Sequence, residues 1–130
     1  MSEFSRALDI TSSGLRAQAT RLRHLSENIS NADTPGYRRK TISFEAELRG
    51  RDAISEVMPG RVRLDRSELE RIYDPGHPMA DDTGHYDGTN VNLLIELSDA
   101  REAQRSYEAN LKIFEQTRKM SSGLMDLLRR

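Results

Sequence analysis

The chain has 130 residues, enough for one domain and too few for two ordinary ones. Twenty basic residues nearly cancel twenty-one acidic ones, so no global field draws the chain to nucleic acid or anionic lipid. With no cysteine, disulfide frameworks, thiolate metal sites and cysteine nucleophiles are excluded, and an apolar share of 35% predicts a thin core.

Residues 1–37 read as an amphipathic helix followed by an exit turn. The opening MSEFSRALDITSSGL has no apolar run of the length a secretory signal needs, and nowhere do eighteen apolar residues follow one another. Neither a cleavable signal nor membrane insertion is expected. Leu8, Leu15, Leu22 and Ile29 recur every seven residues, with Phe4, Thr11, Gln18, Leu25 and Ala32 between them. This heptad pattern predicts a helix over 5–31 whose partner surface accommodates the polar Thr11 and Gln18. His24, beside Leu25, is expected at the surface or in an interface. Pro35 disfavours helical backbone at Thr34, and Pro35-Gly36 suits the centre of a type II turn. Arg38, Arg39 and Lys40 follow, where positive charge complements the helix dipole.

Residues 38–90 form the middle segment. In TISFEAEL, Ile42, Phe44, Ala46 and Leu48 alternate with polar residues, the pattern of a half-buried strand or extended arm, with a short helix as rival. Turns are expected around Gly50, at Pro59-Gly60, at DPGHP (74–78) and at TGHYDG (83–88). RVRLD alternates, and LERIY could continue a hairpin with it. Apolar residues are too few for an independent core, so the segment reads as a small, partly mobile, β-rich or irregular excursion.

Residues 91–130 return to helical spacing through Leu93, Leu97, Ala100, Tyr107, Leu111 and Phe114, and the stripe then passes to Met120, Leu124 and Leu127. A drifting stripe either follows a supercoil or faces different neighbours along its length. Thr89 or Asn90 can cap the start. The expected fold is mainly α: two long terminal helices pairing as a coiled-coil-like antiparallel hairpin, with the small middle segment between them in one structural unit. Ala7, Ala17, Ile113 and Met120 lie off the main stripes, where one partner helix cannot cover them. Apolar area left in water favours assembly.

Catalysis and metal binding find little support. His77, Asp81, Asp82 and His85 are close in sequence, but a polar loop explains them without a metal, and no cofactor is implied. No nucleophile, base and water-excluding pocket can be assembled, so no enzymatic activity is expected. Tyr37 is the only aromatic residue beside the basic run, too little for a single-strand-binding surface. About sixty residues separate the helices, which also argues against a helix-turn-helix.

The run Asn28, Ile29, Ser30, Asn31, Ala32, Asp33 ends a terminal helix carrying SGLRAQATRL, and together they resemble the N-terminal signature of flagellar rod, hook and hook-associated axial proteins. IYDPGHPMAD, TNVNLLIEL and REAQRSYEANLKIFEQTRKM resemble the flagellar basal-body rod proteins of the proximal rod, with only 49–69 poorly matched. NADTPGYRRK looks more like the rod protein FlgB, and Thr89 stands where these proteins often have proline.

The resemblance implies a structural subunit of the basal body whose terminal helices form the inner tubular layer of the periplasmic rod, the drive shaft, with the middle segment outside. It also implies export by the flagellar type III apparatus without cleavage. Implied partners are further copies of the chain, the rod proteins FlgB, FlgF and FlgG, and the adaptor FliE, with no nucleic acid. The implied assembly interface uses Leu8, Leu15, Leu22, Leu25, Asn28, Ile29 and Asn31 on the first helix. On the second it uses Leu97, Tyr107, Asn110, Leu111 and Phe114. Asn is a poor interior helix former, so Asn28 and Asn31 either cap local carbonyls or bond a neighbouring subunit's backbone. Pro35 and Gly36 turn the chain out of the tube wall, and Tyr37 anchors that exit. The competing readings are a FlgB-like rod subunit and a soluble helical-hairpin adaptor that binds one partner.

Overall fold

Helix α1 spans Glu3–Ser30 and helix α2 spans Leu93–Leu128. Between them lie four strands: β1 Lys40–Arg49, β2 Ile54–Leu64, β3 Arg71–Tyr73 and β4 His85–Asp87. The computed structural model describes residues 3–49 and 54–129, and the turn expected around Gly50 lies outside them. The mainly helical fold with a strand-containing middle agrees with the sequence patterns, and TISFEAEL is strand, not helix.

Serines and threonines do not break α1, because their hydroxyls bond back to the preceding turn. The hydroxyl of Thr11 donates to the Ala7 carbonyl at 2.8 Å, that of Ser13 to Ile10 at 2.7 Å, and that of Thr20 to Arg16 at 3.0 Å. At the other helix the cap is Asn92, not Thr89 or Asn90. Its backbone is extended, and its side-chain oxygen accepts from the N–H groups of Leu94 and Ile95. Thr89 and Asn90 are engaged elsewhere: the Thr89 hydroxyl donates to Ala32 O at 2.8 Å, and Asn90 Oδ1 accepts from Arg39 N at 2.7 Å.

The helices pair antiparallel. Asn28 meets Glu96, Arg21 reaches Asp99 and Glu102, and Gly14 lies against Asn110. Each step of about seven residues back along α1 is therefore a similar step forward along α2. By this register Glu3 stands opposite about residue 121, and the end of α2 overhangs by about 10 Å. Leu124, Met125, Leu127 and Leu128 lie on that overhang, all exposed.

The seam between the helices is not the aliphatic heptad row. Thr11, Gly14, Ala17, His24, Leu25 and Asn28 are buried on α1, whereas Leu8, Leu15, Leu22 and Ile29 are only half-buried. On α2 Glu96 and Ala103 are fully buried, and Asp99, Ala100, Ser106, Tyr107, Asn110, Phe114, Thr117 and Ser121 are half-buried around them. Small residues explain the choice. Ala17 and Ala103 let the backbones approach, and a Cβ on Gly14 would sit 3.1 Å from Asn110 Nδ2.

Strands β1 and β2 form an antiparallel hairpin, with Lys40 opposite Leu64 and Arg49 opposite Ile54. Pro59-Gly60 is not the expected turn. It lies inside β2, where the register slips because Ile42 pairs with Val62 but Phe44 with Pro59. Proline has no N–H for the ladder, so one extra residue is accommodated there as a bulge. The expected continuation of RVRLD into LERIY is also overturned, since β3 pairs with β4 in a separate hairpin. Asp81 stabilises that closure by accepting from the N–H groups of Thr83 and His85. The β1–β2 hairpin lies along α1, where Val57 N donates to Ser13 Oγ at 3.1 Å.

Candidate assembly site

A polar junction sets the relation between the two helices. Asn28 is fully buried, and its side-chain amide donates to Lys40 O at 2.9 Å and Glu96 Oε2 at 3.3 Å. Its oxygen accepts from Tyr37 OH and from Lys40 N, both at 2.8 Å. Two donors and two lone pairs are thereby used within the chain, leaving nothing for a neighbouring subunit's backbone. Glu96, also fully buried, sits in the first turn of α2, where the helix dipole favours a carboxylate. Arg39 bridges Glu96 at 2.6 Å and Asp65 at 3.2 Å. Burial alone would lower the Arg39 pKa, but the bonds to Glu96 and Asp65 outweigh it and raise the value. Burial raises the Tyr37 hydroxyl.

Asp65 is held below its ordinary value of 3.8 by the backbone N–H and hydroxyl of Ser67 and by Arg39. Glu27 is held below 4.5 by its hydrogen bond with Lys40. Depressed carboxylates contribute stability above their unfolded pKa and lose it as pH falls through the folded value. Melting temperature should therefore be nearly flat down to about pH 5 and fall in more acidic buffer. Asp65→Asn should lower the plateau and flatten the acid slope, as thermal unfolding across pH will show.

The exit turn follows from Pro35 and Gly36 at its centre, with Tyr37 N–H bonded to Thr34 O at 3.1 Å and Gly36 at φ +77°. Gly36 N–H also reaches Asp87 O at 3.2 Å and Gly88 O at 3.0 Å, fastening the turn to the end of β4. A side chain at Gly36 would meet no atom within 4 Å, so only backbone strain opposes it. Gly36→Ala should cost about 1–2 kcal/mol in urea unfolding. Asn31 is a local cap: its amide donates to Glu27 O at 2.8 Å, and its oxygen accepts from the Thr34 hydroxyl.

The residues expected at the assembly interface divide by burial. Leu25 and Asn28 are buried inside the chain, whereas Leu8, Leu15, Leu22, Ile29, Asn31, Tyr107, Asn110 and Phe114 are half-buried. Leu97 and Leu111 are exposed, at 50% and 37%. In all, eleven large apolar side chains of α2 are exposed to solvent in the single chain. His24, expected at the surface or in an interface, is buried within the chain, and neither ring nitrogen has a hydrogen-bond partner. It faces a small cleft between α1, β1 and Asp99.

Sequence patterns missed Arg39, Asp65, Asn90 and Glu96 as junction residues. A carboxylate placed among the apolar residues of LLIEL was the available signal for Glu96. The imagined metal ligands have local tasks. Asp81 binds Arg71 and Thr83, His77 stacks on Tyr86 at 3.9 Å, and His85 Nδ1 meets the Thr83 hydroxyl. Among the described residues, no group of three or more histidines and carboxylates is arranged for a metal, and no helix is long and apolar enough to cross a membrane.

Comparison with known proteins meets the same two ends of the chain. Residues 8–38 match the family described as flagella basal body rod protein, and residues 83–127 match the C-terminal family of flagellar basal body rod FlgEFG proteins. The flagellar basal-body rod protein FlgC of Agrobacterium fabrum (strain C58) is 46% identical over 136 aligned residues, covering 99% of this chain and 98% of the relative. That of Aquifex aeolicus (strain VF5) is 33% identical over 92% of this chain and 93% of its own. That of Salmonella typhimurium (strain LT2) is 30% identical over 86% and 88%. These matches, over 86% to 99% of the chain, are to FlgC proteins. The chain belongs to the FlgC family of flagellar basal-body rod proteins.

Proposed function

We propose that the chain is a structural subunit of the flagellar rod that completes its apolar surfaces only in the assembly. The single observation carrying this reading is the division of labour on the helices. Small and polar rows seal the intrachain pair, while aliphatic rows on α1 and most large apolar residues of α2 stay partly or wholly uncovered. Burial of such area recovers roughly 25 cal/mol per Å². Contacts that repeat head-to-tail without closing build a helical filament.

In this reading residues 1–37 and 91–130 build the tube wall, and the hairpin segments of 38–90 face outward. Leu8, Leu15, Leu22, Ile29, Leu97, Tyr107, Leu111 and Phe114 supply the contacts between protomers. Neighbours are other rod components, specifically FlgB, FlgF, FlgG and FliE. Delivery is through the flagellar type III apparatus into the periplasmic rod, without signal cleavage, and the role is structural and not catalytic. Sedimentation of the purified chain with the other rod proteins tests this. Open-ended growth is expected, whereas a closed complex of fixed stoichiometry would favour the adaptor reading.

A further inference from the structure

Charge in the middle segment is sorted in space. Arg38, Arg61, Arg63 and Arg66 line, with Leu64, one open groove of about 900 Å³. Arg61, Arg63 and Arg66 are exposed, and among the described residues none of the four arginines has a carboxylate within ion-pairing distance. Arg38 is fixed by neutral acceptors, the carbonyls of Asp65 at 3.3 Å and Ser67 at 2.9 Å, so its charge stays uncompensated. Four guanidinium groups around one groove repel one another until an anion enters, and their planar forks suit carboxylates.

The complementary surface is on the same chain. Residues 68–87 carry six carboxylates and a single arginine, Arg71. Arg71 is committed to Asp81 at 2.5 Å and Asp87 at 2.8 Å. Glu68, Glu70, Asp74 and Asp82 are exposed and have no basic partner among the described residues. The segment is braced by the Asp81 bonds and the His77–Tyr86 stack, and it exposes Tyr73 and Met79, apolar counterparts to the exposed Leu64 of the groove. The two surfaces are neighbours on one protomer, since Arg38 also lines the adjoining crevice with Glu68 and Asp87, yet they do not pair within it.

We propose that the arginine groove of one protomer receives the acidic 68–87 segment of a second copy. The contact rests on the assembly reading above and adds a lateral, electrostatic, head-to-tail interface to the helical one. A chain with twenty basic and twenty-one acidic residues has no long-range pull on a polyanion, so local complementarity with its own kind favours a second copy.

A charge swap tests it, using sedimentation velocity of the full chain in low salt. Arg61→Glu with Arg63→Glu reverses the groove, and Asp74→Lys with Asp82→Lys reverses the acidic segment. All four positions are exposed, so circular dichroism should show both variants folded. Each variant alone should associate at least about tenfold more weakly than the parent, their mixture should recover association, and added salt should weaken the parent. A parent chain that stays monomeric, variants that associate normally, or a mixture that does not recover would overturn the proposal. So would a short DNA duplex or anionic phospholipid vesicles that occupied the groove more tightly than the second copy. Leu111→Asp separates the two readings. Association lost in that variant but indifferent to the charge swaps removes the groove contact alone, whereas normal rods built from Leu111→Asp subunits remove the assembly reading itself.

Discussion

Replacing Arg39 by alanine should destabilise the fold by about 3–5 kcal/mol, because it leaves the fully buried Glu96 carboxylate without its cation. Domains of this size have about 5–15 kcal/mol in total, so the loss is a large fraction of the margin. The apolar core offers little reserve, with Ala17, Leu25 and Ala103 its buried members among the described residues. The same junction links the end of α1, the start of β1, the Asp65–Ser67 turn and the start of α2. Its loss should therefore loosen the register of the helix pair as well as lower the urea midpoint. Glu96→Gln together with Arg39→Met removes both charges while keeping the amide partner for Asn28. That pair should recover more than half of the loss, and a double-mutant cycle in urea measures the coupling.

Leu111→Asp should do the opposite, sparing the fold and stopping assembly. Leu111 is exposed in the single chain, so the substitution costs the monomer no more than about 1 kcal/mol, mainly helix propensity. Between protomers the same carboxylate would be buried without a partner, weakening the contact by about a hundredfold or more. Leu97→Asp should behave alike, since Leu97 is more exposed still. Export of either variant should continue while incorporation into rods fails. A melting temperature that falls as far as for Arg39→Ala would show instead that these leucines seal the monomer.

Much of the fold was legible because its determinants are local. The heptad of Leu8, Leu15, Leu22 and Ile29 marks a helix, the alternation in TISFEAEL marks a strand, and the restricted backbone of Pro35-Gly36 marks the exit. Partner choice was less legible. A row of leucines shows that a face must be covered, but not whether its own chain or a neighbour covers it. Here the intrachain pair uses Gly14, Ala17 and Ala103, where closeness of backbones outweighs side-chain size. Pro59-Gly60 was misread for a related reason: the dipeptide favours a break in regular pairing, and the opposing strand turned that break into a bulge. Asn28 was recognisable as unusual inside a helix, but its bonds to Tyr37, Lys40 and Glu96 span up to 68 residues of sequence. No local pattern announces such convergence.

The most direct measurement exploits the absence of cysteine in the natural sequence. Single thiols introduced as Leu97→Cys, Leu111→Cys and Leu124→Cys can be labelled with a maleimide in the isolated chain and in assembled basal bodies. Rapid labelling of the free chain and strong protection in the rod are the expected result. Equal labelling in both states would mean that these apolar positions face water even in the finished axle, and would contradict the account.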